Sequence, residues 1–340
     1  MLHVAIDLGG RESQICVREE DGTLVKEGRW PTAKLEKLLE EFPAGSRVIV
    51  ETCAEAFSAA DAALAAGHDP RVVPATLVRA LGVGQRGIKT DKRDARCLSE
   101  VSTRIELPSV HIRSAQSRMR KTLCGMREGL VSSRTQLVNQ VRGWLRGQRQ
   151  RLSSGAVETF TARVRKQFGD QELPRCVVRH LSTIDALSEQ IADADAEVHA
   201  EAQSDVVCQR LMSVPGIGPV SALRYVAAVD TPERFHEAHA LESHLGLTPG
   251  ENSSGDKTRR TSVTKAGDAA VRRTLVQAAW TLRRCRPGDP IVRWCHEVEK
   301  RRGKQVAIVA LARKLAGVLF AMWRDGTTYQ PQRAAAVPVS

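Results

Sequence analysis

Paired cysteines are missing from this sequence, although eight of its 340 residues are cysteines. No C-x-x-C spacing occurs, and the closest pair, Cys285 and Cys295, lies ten positions apart. Neither a zinc ribbon nor a disulfide framework fits this spacing. Scattered, reduced cysteines are typical of cytoplasmic proteins, so we expect a cytoplasmic location. His236, His239 and His244 lack the cysteine or carboxylate pattern of a zinc site, and we expect them on a surface helix.

Long hydrophobic runs are also missing. No stretch of the sequence approaches the roughly 20 consecutive apolar residues that a membrane-spanning helix needs. The first residues, MLHVAIDLGG, lack the charged leader and the apolar core of a signal peptide. We therefore expect no membrane partner.

Acidic residues are too few to balance the basic ones. Lys and Arg number 51 against 39 Asp and Glu, which gives a net charge of +12. Such an excess favours a polyanionic partner and says nothing about the fold. Residues 86–165 contain 18 basic and 6 acidic residues, whereas residues 185–205 contain seven acidic residues and no Lys or Arg. This uneven distribution predicts a nucleic-acid-binding surface, with residues 86–165 as its candidate segment.

The first hundred residues alternate between strand and helix patterns. Short apolar runs such as LHVAIDLG and SRVIVET are typical of buried strands, and Asp21-Gly22 marks a turn. The segment TAKLEKLLEEF carries leucines at helical spacing, and EAFSAADAALAAG is a helix of small residues. The predicted order is β-β-β-α-β-α-β, which is the order of a ribonuclease-H-like α/β domain.

Four segments follow from these patterns. Residues 1–150 are assigned to the α/β domain with a basic helical extension, and residues 151–205 to a helical linker. Residues 206–326 are expected to form a mainly α-helical C-terminal domain. Residues 327–340 have no periodicity, and we expect a disordered tail.

The helical linker has an apolar repeat. Ile184, Leu187, Ile191 and Val198 follow a spacing of three and four residues. Two heptads are too few to establish a coiled coil, so both a helical linker and a dimer seam are compatible with the pattern.

Four carboxylates carry the first chemical pattern. Asp7 and Glu51 each end a predicted strand, and Asp91 and Asp94 stand three apart in KTDKRDARCLSE. Carboxylate oxygens are the ligands of Mg²⁺, and two such ions can stabilise both oxygens of a phosphoryl transfer. Each carboxylate alone has a structural alternative, since an aspartate often caps a strand or a helix. Their joint placement favours a metal site.

Two glycines carry a second pattern. Residues 213–226, SVPGIGPVSALRYV, predict a helix–hairpin–helix turn around Gly216 and Gly218. Glycines let backbone N–H groups approach a phosphate, and a following helix N-terminus adds a favourable dipole. The alternative is an ordinary corner between two helices. The net charge favours the phosphate-binding version.

A third pattern is LGLTPGENSSGDKTRR, residues 245–260. Ser253 and Ser254 stand in a predicted loop before a basic stretch that continues into an amphipathic helix. Guanidinium groups there could hold a phosphate, but a serine hydroxyl is a poor nucleophile without activation. By chemistry alone this is a solvated loop. The candidate nucleic-acid contacts of the stretch are Lys257, Arg259, Arg260, Lys265 and Arg272.

The ordered set of these blocks resembles the transposases of insertion-sequence family 110. The segments AIDLG, VIVET and KTDKRDA are similar to the acidic DEDD blocks of that family. The segments LMSVPGIGPVSALRYVAAV, LGLTPGENSSGDKTRR and TKAGDAAVRRTLVQAAW are similar to its second transposase domain.

The resemblance implies a RuvC-like domain and a serine recombinase guided by a bridge RNA. It places Asp7, Glu51, Asp91 and Asp94 on the Mg²⁺-binding tetrad and Ser254 on the nucleophile, with Ser253 as the neighbouring candidate. It implies donor and target DNA, a guide RNA and a homo-oligomer, dimer or tetramer, as partners. Two alternatives stay open. One is a metal-dependent Holliday-junction resolvase-like nuclease without a serine intermediate, and the other is a non-catalytic nucleic-acid-binding protein.

Overall fold

A computed structural model describes residues 1–80, 90–169, 172–252 and 260–337. The chain forms two compact units, Met1–Arg113 and Ser114–Ser340. The division lies at Arg113 rather than at residue 150, so the long basic helix belongs to the second unit. It does not extend the α/β unit.

The first unit is built on a mixed five-stranded sheet of order β3-β2-β1-β4-β5. Strands β1, β2 and β3 are antiparallel neighbours, whereas β4 and β5 run parallel to β1. The predicted element order and the mixed α/β class are confirmed. The strands are β1 (His3–Asp7), β2 (Glu12–Arg18), β3 (Leu24–Pro31), β4 (Arg47–Glu51) and β5 (Asp69–Val73).

Helices cover both faces of this sheet because its strands bury alternate side chains on opposite sides. Val4 and Ile6 of β1 pack with the leucines of α1 and the alanines of α2. Ala5, between them, packs on the other face with Leu98 of α4. The helices of this unit are α1 (Leu35–Leu39), α2 (Ala56–Ala65), α3 (Ala75–Ala80) and α4 (Asp91–Arg104).

The second unit is mainly helical, as predicted for the C-terminal region. Its largest hydrophobic core joins α8, α9, α11, α12 and α13. The elements are α5 (Ala115–Gly147), α6 (Phe160–Phe168), α7 (Arg175–Ser204), α8 (Val206–Leu211), α9 (Pro219–Val229), α10 (Ala238–His244), β6 (Pro249–Glu251), β7 (Arg260–Val263), α11 (Ala269–Cys285), α12 (Pro290–Arg302), α13 (Lys304–Asp325) and α14 (Pro331–Ala336).

The basic helix α5 and the acidic helix α7 pair with each other. Arg120 is 8% exposed and donates from Nε to Glu201 and from Nη2 to Asp205, each at 2.7 Å. About two turns further along each helix, Arg127 pairs with Asp195 at 2.5 Å. The basic and acidic segments, which are separate in the sequence, therefore contribute to one pair of packed helices, α5 and α7. Part of the basic surface predicted for nucleic acid is used inside the protein.

The apolar repeat of α7 is buried in the same pairing. Ile184 packs with Val138, Val141 and Leu145 of α5, and Val198 lies in the main core of the unit. The buried residues of the repeat therefore serve the chain's own packing, which favours the helical alternative over the dimer seam.

Helix α13 is an exception to the prediction that the sequence contains no long apolar stretch. By length and composition it could cross a membrane, but 72% of its apolar window is buried inside the unit. It is the central core helix, and it carries two buried cations, Arg313 and Lys314.

The described part of the C-terminal tail is folded, against the expectation of disorder. Tyr329 donates its hydroxyl to Asp289 at 2.8 Å, and α14 follows. Lys314 Nζ donates to the carbonyls of Ala335 and Val337, at 3.1 and 2.7 Å. These hydrogen bonds to buried groups hold a segment whose sequence shows no periodicity.

Candidate functional site

Two of the predicted carboxylates end neighbouring parallel strands. Ile6 of β1 lies opposite Val50 of β4, so the next residues, Asp7 and Glu51, leave the same edge of the sheet. Both are half-buried. The carboxyl edge of parallel strands is where ligands bind in open α/β sheets.

Helix α4 brings a third carboxylate to this edge. Its Ser102 Oγ lies 2.7 Å from Nδ1 of His3 at the start of β1, and Leu98, one turn earlier in the helix, packs in one cluster with Ala5, so the helix runs antiparallel to that strand. From Ser102 back to Asp94 the helix rises about 12 Å, and from His3 to Asp7 the strand advances about 13 Å. Asp94, only 1% exposed, therefore comes level with Asp7.

Asp91 is placed differently from Asp94. Thr90 is the N-cap of α4 and accepts from the backbone N–H of Arg93 at 3.3 Å, so Asp91 is not the capping residue. Asp91 is exposed whereas Asp94 is buried, although at positions i and i+3 of α4 they lie on neighbouring parts of one helix face. Asp91 lines a cleft that also contains Gln14, the strand neighbour of Asp7.

The basic residues beside these acids have a carboxylate partner. Arg96 donates from Nη2 to Glu27 at 2.7 Å, and Lys92 Nζ lies 3.2 Å from the same carboxylate. Hydrogen bonding from Arg96, followed by Lys92, lowers the pKa of Glu27 despite its partial burial. Ordinary pairing with Glu27, rather than phosphate contact, explains these two cations.

The donor set at the sheet edge suits a hard divalent cation, since Asp7, Glu51 and Asp94 offer only carboxylate oxygens. Across the residues described, no three His, Cys, Asp or Glu side chains are already gathered as a metal site. Of the three clustered histidines, His239 and His244 lie on α10, whereas His236 precedes it. The backbone converges at one edge, and the side chains would have to turn towards a common ion.

The turn between α8 and α9 depends on one of its two glycines. Gly216 has φ +96°, and a Cβ there would lie 2.8 Å from the carbonyl oxygen of Ala278 on α11. Gly218 is the N-cap of α9, with φ −100° and open space where a Cβ would stand. Gly216 therefore faces a helix of its own unit, and only Gly218 is placed to let a phosphate approach the start of α9.

This difference gives a direct prediction. Gly216→Ala should destabilise the protein by about 1–3 kcal/mol, because it combines left-handed backbone with a clash against α11. Gly218→Ala is the matched control and should change the free energy of unfolding by less than about 1 kcal/mol. Chemical denaturation of both variants measures the difference. Equal losses would show that the contact with Ala278 is not what requires glycine.

The two predicted nucleophiles lie outside the described residues. Ser253 and Ser254, with Lys257 and Arg259, belong to the connection between β6 and β7, which are antiparallel partners. Arg260 is the first residue of β7.

The base of this hairpin is tightly packed. Gly246 has φ +67°, and a Cβ there would lie 2.7 Å from the backbone nitrogens of Ala266 and Gly267. A Cβ on Gly267 would lie 2.1 Å from the carbonyl oxygen of His244. Only glycine allows the chain segments before β6 and after β7 to approach this closely, so the base of the hairpin is fixed.

Two predicted nucleic-acid contacts flank this base. Lys265 is exposed with φ +57°, and its side chain is accessible to a ligand. Arg272 instead donates from Nη1 to the carbonyls of Leu245 and Gly267, at 3.1 and 2.5 Å. We therefore assign Arg272 to holding the hairpin base and keep Lys265 as a contact.

A basic and aromatic cluster at the end of α11 was not predicted from the sequence. Lys304 Nζ lies 5.2 Å and the Arg283 guanidinium carbon 5.9 Å from the ring centre of Trp280. The signal was present as two basic runs, RRCR at 283–286 and KRRGK at 300–304. Nothing in the spacing showed that folding places them around one tryptophan.

Comparison with known proteins shows to which class of protein the chain belongs. Residues 4–148 match a family model for DEDD transposases of the IS110 group, and residues 208–290 match the model "Transposase IS116/IS110/IS902 family". The two matches fall on the α/β unit with α5 and on the helical region around the hairpin. They define a transposase, an enzyme that cuts and transfers DNA.

Curated relatives agree over most of the chain. A probable family 20 transposase of Pseudomonas aeruginosa is 30% identical over 297 residues, covering 84% of this chain and 86% of the relative. The transposase for insertion sequence element IS1111A of Coxiella burnetii is 26% identical, covering 96% and 91%. The transposase for insertion sequence element IS1328 of Yersinia enterocolitica is 27% identical, covering 96% and 98%. The chain belongs to the IS116/IS110/IS902 family of insertion-sequence transposases.

Proposed function

We propose that this transposase cuts and rejoins DNA through a covalent phosphoserine intermediate. Ser254 is the nucleophile, and Asp7, Glu51, Asp91 and Asp94 hold Mg²⁺ in a RuvC-like domain. A guide RNA selects the target by base pairing, and a dimer or tetramer handles the two duplexes. The observation that carries the proposal is the arrival of Asp7, Glu51 and Asp94 at one edge of the sheet.

The residues of the edge have separate roles. Asp7 and Glu51 are held by a paired β-ladder, so their backbone positions are fixed before any ligand binds. Asp94 is fixed by the packing of α4, while Asp91, exposed in the same turn, would supply a further carboxylate to a bound cation. The cation would stabilise charge on the attacking and leaving oxygens of the phosphate.

Ser254 forms the phosphoserine bond, which keeps the energy of the broken phosphodiester bond available for rejoining the DNA. Its Oγ forms a bond to the DNA phosphorus as the phosphodiester bond breaks, and the leaving strand end takes the proton as a free hydroxyl. Attack by the hydroxyl of the partner strand on the phosphoserine then restores Ser254 and a DNA phosphodiester. The packed glycines at the base of the β6–β7 hairpin support this role, because they fix the base of the hairpin whose connection carries the serine.

A covalent-adduct assay tests the proposal. Purified protein is incubated with Mg²⁺, its element-encoded RNA and labelled donor and target DNA, and products are separated on denaturing gels. We expect a protein-linked DNA band in wild type and Ser253→Ala, and none in Ser254→Ala. Cleavage without any adduct would instead indicate the metal-dependent resolvase, with water as nucleophile. Binding without cleavage would indicate the non-catalytic protein.

A further inference from the structure

Trp280 is placed unlike the other tryptophans of the chain. Trp30, Trp144, Trp294 and Trp323 each pack against one of the hydrophobic clusters. Trp280, on α11, does not belong to any cluster of the described residues and is 37% exposed. A large aromatic side chain that contributes little to the core is available for a ligand.

Cations surround this ring. Arg283 lies one turn away and is fixed by Glu299, with Nη2 donating to Oε2 at 2.8 Å. Lys304 reaches the ring from the start of α13, and within the described parts of the chain it has no carboxylate partner. Three further exposed cations are close in sequence to Trp280 or Lys304, and no salt bridge involves them in those same parts; these are Arg284, Arg301 and Arg302.

Other cation–ring pairs of the unit lack this combination. Arg324 lies 5.7 Å from the ring centre of Phe320, but Phe320 is 1% exposed and Arg324 is paired with Asp325. That pair can only stabilise the fold. At Trp280 the ring is open to solvent and most of the surrounding charge is unneutralised, so the cluster has capacity for an anionic ligand with an aromatic group.

We propose that Trp280 is a stacking platform for an unpaired base of RNA, with Lys304, Arg301 and Arg302 on the flanking phosphates. Every base has a face that stacks on an aromatic ring, and cations beside the ring track the backbone. A DNA duplex keeps its base faces stacked inside, whereas RNA loops expose theirs. The site deepens the proposed function, because it assigns the RNA of that proposal a place on the helical unit.

The test is a binding measurement on the full chain without divalent metal, so that cleavage is not involved. A short unstructured RNA, the same sequence as single-stranded DNA, and duplex DNA are titrated against each variant. Trp280→Ala should weaken RNA binding about tenfold, and Trp280→Phe, which keeps a ring, should weaken it much less. Lys304→Gln should lower the salt dependence of RNA binding by a slope of about 0.7.

Controls and mapping make the result specific. Arg324→Gln removes one positive charge from a cation–ring pair with a buried ring and should leave RNA binding unchanged. Photocrosslinking with iodouridine RNA should yield a peptide modified at Trp280. Thermal unfolding of Trp280→Ala and Trp280→Phe gives the stability of each variant, and RNA binding is compared at a temperature at which both are folded.

Three outcomes would overturn the site: unchanged RNA binding in Trp280→Ala, crosslinks only elsewhere, or an equal loss for single-stranded DNA, which would remove the assignment to RNA. Failure of the proposed chemistry is distinguishable. It would appear as a missing serine adduct while RNA binding still depends on Trp280.

Discussion

Asp94→Asn should reduce DNA strand cleavage by about a thousandfold or more. A metal-held oxygen contributes several kcal/mol to the transition state of phosphoryl transfer, and each 1.4 kcal/mol is a factor of ten. The change is isosteric and removes a buried negative charge, so the fold should be retained. Asp7→Asn and Glu51→Gln should cause comparable losses. Asp91, being exposed, should cost less when replaced by Asn.

The measurement combines cleavage with metal binding. Gel-based cleavage rates give the activity, and thermal unfolding with and without Mg²⁺ gives binding, since a ligand of the native state raises its stability. Wild type should gain stability with Mg²⁺, and Asp94→Asn should gain little. Glu100→Gln, on the same helix and paired with Arg104, is the matched control and should behave as wild type. Cleavage at the wild-type rate in Asp94→Asn would remove this residue from the proposed tetrad.

Arg313→Met should destabilise the protein by about 3–5 kcal/mol, which is the usual cost of leaving one member of a buried ion pair alone. Arg313 Nε donates to Glu242 Oε2 at 2.5 Å, and Glu242 is 1% exposed. For a unit of this size, such a loss lowers the melting temperature on the order of 10 °C. Glu242→Gln combined with Arg313→Met should recover most of it, because no unpaired charge remains. Arg324→Met, at the exposed end of the same helix, is the control and should change stability by less than about 0.5 kcal/mol.

The loss should depend on pH. Burial raises the pKa of Glu242, and the charge of Arg313 only partly opposes this. A carboxyl whose folded pKa lies above its unfolded value binds more protons in the folded state, so its contribution to stability falls as pH rises through the folded pKa. Without Arg313 that pKa rises further. The deficit of Arg313→Met should therefore be small near pH 4 and grow towards pH 7, as followed by thermal unfolding across this range. A deficit that does not change with pH would mean that Glu242 is not the group left unpaired.

Local pattern was sufficient to predict the α/β unit. The order of strands and helices along the chain, and the position of Asp7 and Glu51 at strand ends, follow from apolar runs that end in turns or carboxylates, because a buried strand must be apolar until it leaves the sheet. The direction of α4, which sets Asp94 level with Asp7, depends on contacts such as His3–Ser102. These join residues about a hundred positions apart, and no local pattern contains them.

Charge was harder to interpret than hydrophobicity. A cationic residue that binds nucleic acid and one that binds its own chain look alike in the sequence. Arg272 was predicted as a nucleic-acid contact, yet its guanidinium holds two loop carbonyls. Lys314 anchors a tail that was predicted to be disordered. The role of each cation depends on the group that it hydrogen-bonds, and only the tertiary fold determines which group that is.

The pairing of α5 with α7 has a consequence for work on fragments. A shortened protein that ends before Arg175 would keep the arginines of α5 and lose the carboxylates that occupy Arg120 and Arg127. Such a fragment would bind any polyanion through groups that the intact chain never presents. An affinity for DNA or RNA measured on this fragment would reflect arginines exposed by the loss of α7, and not the binding surface of the intact transposase.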